Sequence, residues 1–214
     1  LNQPLCAIMT YAQTCLRKIE PSDPKLNELK HGLSQIVRQA ERVDEIFVRI
    51  RNFSRKREIR RQRTDAREML NNSLAFIQTE IHHNNITLEV KAPKKAPIIF
   101  VDAIQIQQVL INLIRNSIDA LSGIDETKRA IKITMAQDGK NLTRFCVSDN
   151  GCGCKGPEVD RLFEPFFTTK EAGLGVGLSI SQGIIEAHGG KIWLERNSSE
   201  GATFCVTVPN WKRA

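Results

Sequence analysis

Two asparagines, Asn112 and Asn116, are the first residues of this 214-residue chain whose type and spacing suit a chemical role. They lie in the apolar run QVLINLIRNSIDA, and a spacing of four places both amides on one face of a helix. Asparagine is a middling helix former and is costly to bury without a partner. Amide oxygens suit a hard cation such as Mg²⁺, whose other ligands are phosphates and waters. The pattern therefore indicates a cation site or, alternatively, an interior pair of hydrogen-bonded amides.

A glycine-containing segment, SDNGCG at residues 148–153, directly follows a strand-like run. Asp149, at the end of that strand, can accept a hydrogen bond from an exocyclic amine such as that of adenine. Gly151 and Gly153 allow the backbone to approach a ligand closely and to adopt a positive φ. The segment suits a backbone that approaches such a ligand, but taken alone it favours an ordinary Asp-Asn-Gly turn.

A second glycine-rich segment, GLGVGL at residues 173–178, opens a helix, and a helix N-terminus is a natural phosphate site. Its glycines lack the spacing of a dinucleotide fingerprint, and the Gly-Lys-Ser/Thr of a P-loop is missing. The segment LFEPFFTTK at residues 162–170 carries three phenylalanines in a long loop. Such a loop is typical of a lid that docks and undocks, or of a surface loop pinned by apolar anchors.

The elements that must position these segments alternate between helix and strand signals from about residue 64 onward. Asp65 and Asp102 are predicted to cap helices that end near residues 80 and 121. A third helix is predicted at about 175–187, and strands at 86–90, 98–101, 131–136, 142–147, 191–195 and 202–208. This order predicts a mixed sheet with helices on one face, which is an α/β two-layer sandwich.

The first 61 residues predict a helical hairpin. Prolines and cap-forming residues at 21–24 end its first helix, and apolar residues recur at alternating steps of three and four from Leu26 to Ile50 in the second. Two short-looped helices cannot bury such seams alone, so two copies are predicted to pair into a four-helix bundle. The alternative is a hairpin packed on its own C-terminal domain. The predicted fold class is α+β, with an antiparallel helical hairpin at 1–61 and the sandwich domain at 62–214.

Charge and cysteine content disfavour several classes of function. The net charge of +7 comes largely from residues 49–67, where no aromatic ladder, zinc pattern or helix-turn-helix accompanies it, so a solvated helix face is favoured over a nucleic-acid site. No apolar run approaches the roughly 18 residues needed to span a bilayer. Of six cysteines only Cys152 and Cys154 are close in sequence, which is a weak zinc signal. We therefore expect a cytoplasmic protein with reduced cysteines, and a redox role for that pair is disfavoured.

The order of the four segments resembles the N box, first glycine box, F box and second glycine box of sensor histidine kinases. Those kinases belong to the ATPase superfamily that includes the Hsp90 chaperone, type II topoisomerase and the mismatch-repair protein MutL. The resemblance covers about residues 60–212 and includes the run EAHGG at 186–190. It extends to Leu1-Asn2-Gln3-Pro4, which is similar to the residues after the phosphoacceptor in His-Glu-Leu-Asn-Gln-Pro. The acceptor histidine is therefore expected two residues before Leu1.

The resemblance implies a role for each matching position. Asn112 would coordinate Mg²⁺, with Asn116 beside it holding the phosphates of ATP. Asp149 would bind the adenine amine, supported by Thr203 or by a water that Thr203 holds. Gly151 and Gly153 would shape the pocket, and the triphosphate would be lined by Gly173, Gly175, Val176, Gly177 and Leu178. Arg161 and Lys170 would reach the γ-phosphate. Gln3 occupies the position at which relatives orient water for phosphatase action.

The implied function is autophosphorylation of a histidine with ATP and Mg²⁺, followed by phosphotransfer to an aspartate on a response regulator. The implied partners are a second copy, bound through the hairpin, and a receiver domain; the parent protein is cytoplasmic or anchored in the inner membrane. One alternative is a nucleotide-binding dimeric module that acts mainly as a response-regulator phosphatase or docking scaffold. Another is a superfamily ATPase that acts on protein conformation or nucleic acid, which the kinase-like lid and the hairpin disfavour.

Overall fold

The computed structural model describes residues 8–15, 30, 32–34, 36, 37, 40, 59–154, 156–169 and 175–212. The chain divides into two compact units, Leu1–Arg57 and Glu58–Ala214. Every described residue of the first unit is helical, whereas the turn predicted at 21–24 and most of the apolar seam lie outside the described residues, as does Gln3. Among the described residues, no helix is long and apolar enough to cross a membrane.

The second unit is built on a five-stranded mixed sheet with strand order β2-β4-β5-β7-β6 and a separate antiparallel pair, β1-β3. The strands are β1 (Gln62–Asp65), β2 (Thr87–Lys91), β3 (Ile98–Val101), β4 (Ala130–Asp138), β5 (Leu142–Asp149), β6 (Ile192–Ser198) and β7 (Gly201–Pro209). The helices are α1 (Ala66–His83), α2 (Ala103–Ala120) and α3 (Gly177–Ala187), with short 3-10 helices at Glu126–Lys128 and Gly156–Arg161. The expected mixed sheet with helices is confirmed; β1 was not predicted.

Local sequence explains where α1 and α2 begin. The Asp65 carboxylate accepts hydrogen bonds from the backbone N–H groups of Arg67 and Glu68, and Asp102 accepts one from Gln105. Each bond satisfies a donor that has no partner inside its helix. The predicted caps at Asp65 and Asp102 are therefore confirmed.

A single apolar core lies between the helices and one face of the sheet. It is formed by residues from α1, α2 and α3 together with the inward-facing residues of the strands, among them Leu70, Leu113, Ile185, Phe145 and Val206. Successive residues of a strand point to opposite faces, so Phe145 and Val147 enter this core while Cys146 and Ser148 face the other side of the sheet. Only those β5 residues whose side chains lie on the inner face of the sheet can reach the helices.

Two cysteines on the outer face of the sheet form a disulfide. Cys146 of β5 and Cys205 of β7 lie directly opposite each other in the antiparallel ladder and are bonded. The expectation that the cysteines are reduced is therefore wrong for this pair. The two residues are separated by 59 positions in sequence, so only the strand register brings them together. Cys15 and Cys152 are free thiols.

Candidate functional site

The Asp149 carboxylate at the end of β5 is held by three hydrogen bonds. Its Oδ1 accepts from the backbone N–H groups of Gly151, at 3.0 Å, and Ala202, at 3.3 Å. Its Oδ2 accepts from Ser117 Oγ of α2 at 2.9 Å. A carboxylate oxygen accepts two bonds, so Oδ2 retains capacity for one further donor. The side chain is fixed in orientation and can still accept from a ligand amine.

Thr203 does not bond to Asp149, which was one of the two roles implied for it. Thr203 lies opposite Ser148 in the β5–β7 ladder, and their hydroxyls are 2.9 Å apart on the outer face of the sheet. Asp149 follows Ser148 and therefore points to the opposite, helix-facing side. Ala202 is the β7 residue beside Asp149, and the hydroxyl on the carboxylate comes from Ser117 instead.

Close backbone packing requires glycine on both sides of Cys152. A Cβ at Gly151 would lie 2.6 Å from the Ala120 carbonyl oxygen, and one at Gly153 would overlap the carbonyl oxygen of Ser198. Gly153 also has a φ of +64°, which an L side chain rarely adopts. These contacts hold the segment between the end of α2 and the β6–β7 turn.

Asn197, near the end of β6, hydrogen-bonds to the backbone of the same segment. Its Oδ1 accepts from the Cys154 N–H at 2.7 Å, and its Nδ2 donates to the Cys154 carbonyl at 2.8 Å. Both hydrogen-bonding groups of the Cys154 backbone are thereby satisfied by one side chain. Asn197 could not be identified from the sequence, because nothing local to it indicates a partner 43 residues away.

The Asn112 amide meets the start of α3. Its Nδ2 donates to Ser181 Oγ at 3.0 Å, and Ser181 Oγ donates to the Gly177 carbonyl at 2.9 Å. A Cβ at Gly177 would lie only 2.6 Å from Asn112 Oδ1, so glycine permits the two helices to approach here. No described residue donates to that oxygen, which makes it a suitable ligand for a hard cation. Asn116 lies one helical turn further along α2 and is half-buried.

The start of α3 has the properties of an anion site. Val176 is its N-cap residue and has no side-chain oxygen with which to cap the first amides. Gly175 has a φ of +64°, and a Cβ there would overlap the backbone of the lid at Phe167. Leu178 packs against the core. Gly173 lies outside the described residues.

The lid has apolar anchors and an internal ion pair. Leu162 and Phe163 pack against the core, whereas Phe166 is exposed and has a φ of +67°. Arg161 donates to Glu164 at 2.9 Å, and its guanidinium lies over the Phe167 ring at 4.5 Å from the centroid. Arg161 is thus engaged within the lid. Lys170 lies outside the described residues.

Buried His188 joins the two helices that carry the site. Its Nε2 accepts from the Asp102 N–H at 3.0 Å, so the proton is on Nδ1, which donates to the Ile184 carbonyl at 2.8 Å. Burial lowers the pKa of His188 below its ordinary value, and the Arg61 guanidinium, bound to the Ala187 carbonyl at 2.6 Å, lowers the pKa further. The neutral ring therefore ties the end of α3 to the start of α2.

Comparison with known proteins places this arrangement in a family. A family model described as histidine kinase-, DNA gyrase B- and HSP90-like ATPase matches residues 101–212. Sensor protein FixL of Bradyrhizobium diazoefficiens is 36% identical over 98% of this chain and 41% of its own length. Sensor histidine kinase TmoS of Ectopseudomonas mendocina is 35% identical over 98% of this chain and 22% of its own length. The chain thus spans less than half the length of these curated relatives.

Solved structures of histidine kinases are also similar to this chain. The catalytic domain of histidine kinase ThkA superposes with a TM-score of 0.62 at 33% identity, covering 70% of this chain and 95% of that one. ThkA in complex with the response regulator TrrA gives 0.72 at 27% identity, covering 99% and 60%. Full-length ShkA in complex with AMPPNP gives 0.76 over 100% of this chain and 44% of that one; at 21% identity, this shows the fold alone.

Proposed function

Because the chain belongs to the family of histidine kinase-, DNA gyrase B- and HSP90-like ATPases, we propose that it is the ATP-binding and dimerisation core of a sensor histidine kinase. The proposal depends on two hydrogen-bond acceptors with fixed orientation, Asp149 at the end of β5 and Asn112 of α2. Ser117 fixes the Asp149 carboxylate, and Ser181 binds the Asn112 amide beside the uncapped start of α3. An amine acceptor and an anion site bordering the same helix suit the two ends of ATP.

The adenine end is assigned to Asp149. Its Oδ2 accepts from the exocyclic amine, while Gly151 and Gly153 let the surrounding backbone form the pocket wall. An acceptor at this position discriminates against guanine, which presents a carbonyl oxygen there, because two acceptors would face each other unpaired.

The phosphate end is assigned to Asn112, Asn116 and the start of α3. Mg²⁺, when bound, would neutralise charge on the phosphates, with Asn112 as its protein ligand and Asn116 beside it. Gly173, Gly175, Val176, Gly177 and Leu178 would line the triphosphate. Lys170 and Arg161 would act on the γ-phosphate, Arg161 by exchanging Glu164 for a phosphate oxygen.

The activity is transfer of the γ-phosphoryl group to a histidine. An imidazole nitrogen of the acceptor bonds to the γ-phosphorus, the bond to the bridging oxygen breaks, ADP leaves and the ring loses a proton. Because Leu1-Asn2-Gln3-Pro4 matches the residues after a phosphoacceptor, we place the acceptor in the parent protein two residues before Leu1. His188 is excluded because it is 2% exposed and both ring nitrogens are hydrogen-bonded.

The hairpin is proposed to form the dimer and to dock the regulator. We assign residues 1–61 to the hairpin and 62–214 to the ATP-binding domain. Ile8, Tyr11 and Ile36 are large apolar side chains that are exposed in the single chain, which favours pairing with a second copy. Since ThkA is seen bound to the response regulator TrrA, a receiver domain is the proposed acceptor of the phosphoryl group here. Because ATP and response regulators are found in the cytoplasm, we propose a cytoplasmic location for this core.

Radiolabelling of the parent protein tests the proposal. With [γ-³²P]ATP and Mg²⁺, we expect acid-labile, base-stable label on a histidine, and Asp149→Ala should abolish it. Asp138→Ala is the matched control, since Asp138 lies at the opposite end of the β4–β5 pair and should leave labelling unchanged. Equal labelling of the Asp149→Ala variant would refute the site. ATP binding without label on any histidine would favour the phosphatase or docking module instead.

A further inference from the structure

Ser181 is a buried serine of α3 that contacts two residues of the proposed phosphate site. It is 2% exposed, and its Oγ lies 2.9 Å from the Gly177 carbonyl oxygen and 3.0 Å from Asn112 Nδ2. A hydroxyl has one proton to donate, and a carbonyl oxygen can only accept. The Ser181 proton is therefore used on Gly177, and Ser181 can only accept from Asn112.

This arrangement determines which end of the Asn112 amide faces Ser181. With the hydroxyl proton on Gly177, the NH₂ group points to the hydroxyl and the carbonyl oxygen points away from it. A flipped amide could be bonded to Ser181 only if the hydroxyl gave up its bond to the Gly177 carbonyl. Gly177 completes the arrangement, because any Cβ there would lie 2.6 Å from Asn112 Oδ1 and cover it. The oxygen thus stays uncovered and in a single orientation.

We propose that Ser181 is a positioning residue that presents the Asn112 carbonyl oxygen to the cation at the phosphate end of the site. The inference rests on the proposed function, since it requires that Asn112 faces Mg²⁺ and phosphate. Ser181 touches neither nucleotide nor metal in this account. Without its hydroxyl the amide can flip, and the NH₂ group then faces the cation in a fraction of the molecules. The loss should appear in metal-dependent binding and not in binding of the metal-free nucleotide.

Calorimetric titration with ADP, in Mg²⁺ and in EDTA, separates the two effects for wild type and Ser181→Ala. The ratio of the two affinities measures how strongly the metal contributes to binding. We expect Ser181→Ala to lower that ratio about threefold to tenfold, the range for loss of one neutral hydrogen bond. The affinity in EDTA should stay unchanged. Ser179→Ala is the matched control, because Ser179 donates to the Val176 carbonyl on the same helix and has no bond to Asn112.

A second substitution keeps the inference testable if removal of the Ser181 side chain destabilises α3. Ser181→Cys is close to serine in size and therefore keeps the packing of α3, but a thiol is a much weaker acceptor than a hydroxyl. Ser181→Cys should therefore lower the metal-dependent ratio in the same direction as Ser181→Ala, with the affinity in EDTA unchanged.

Two results would overturn the role of Ser181: equal loss of affinity with and without Mg²⁺, or no loss at all, for the single Ser181 variants. Failure of wild type to bind ADP under either condition would instead refute the proposed function. The two failures are therefore distinguishable.

Discussion

Replacing Ser117 with alanine should weaken ATP binding by removing one of the three donors to Asp149. Ser117 is 2% exposed, and its hydroxyl donates to Asp149 Oδ2 at 2.9 Å. A hydrogen bond to a charged group contributes about 1.5–3 kcal/mol. The two backbone donors on Oδ1 remain, so the carboxylate keeps its place but loses its fixed rotation. We expect ATP affinity to fall about tenfold, which corresponds to about 1.4 kcal/mol.

The assay is calorimetric titration of the isolated chain with ATP and with GTP. ATP affinity should fall while weak GTP binding stays the same, because the effect acts on recognition of the adenine amine. Ser73→Ala is the matched control: Ser73 is fully buried in α1 and its hydroxyl donates to the Met69 carbonyl at 2.9 Å. The unfolding free energy should fall by about 1 kcal/mol in Ser73→Ala and by about 1.5–3 kcal/mol in Ser117→Ala, whose bond is to a charged group. If Ser117→Ala binds ATP as tightly as Ser73→Ala does, Ser117 has only a structural role and the reasoning fails.

Three further outcomes follow from other contacts. Because burial lowers the pKa of His188 in the folded chain, this histidine takes up a proton at a higher pH in the unfolded chain than in the folded one. Its contribution to the free energy of unfolding is therefore fully present above about pH 6.5 and declines below it. Urea unfolding from pH 8 to pH 5 should show this decline, and His188→Gln should reduce it; an identical decline in the variant would contradict the assignment. Gly153→Ala should lower both thermal stability and ATP affinity, because its Cβ would overlap the Ser198 carbonyl at a φ of +64°; the thermal midpoint and a nucleotide titration check it, and wild-type values would refute the packing. Thiol titration of the non-reduced, denatured chain should detect at most four of the six cysteines, since Cys146 and Cys205 are bonded; six reactive thiols would show that the pair is not bonded in solution.

Elements determined by neighbouring residues could be predicted from the sequence. Asp65 and Asp102 each cap the helix that begins at the next residue, so three or four positions contain the whole signal. The alternation of β5 likewise predicted a strand that delivers Asp149 at its end. β1 was missed because Gln62–Asp65 has no apolar alternation and is a strand only through its pairing with β3.

Features that depend on pairing across the sheet could not be predicted. Thr203 and Ala202 are adjacent in sequence, yet a difference of one position places their side chains on opposite faces, and only the register with β5 decides which one neighbours Asp149. The Cys146–Cys205 bond depends on the same register. Ser117 and Ser181 are each polar residues among apolar positions of a helix, which indicates that each has a buried hydrogen-bond partner. The sequence does not indicate which residues those partners are, because they lie 32 and 69 positions away.

Titration with ATP and Mg²⁺ tests the nucleotide site directly when wild type is compared with Asp149→Ala and Asn112→Ala. Asp149 is assigned to the adenine end of the site and Asn112 to the phosphate end. We expect each substitution to weaken binding by at least about tenfold, the effect of losing roughly one good polar contact. Asn71→Ala, an exposed amide on α1, should bind as wild type does. Unchanged affinity in both Asp149→Ala and Asn112→Ala would contradict the nucleotide site, and with it the proposed kinase core.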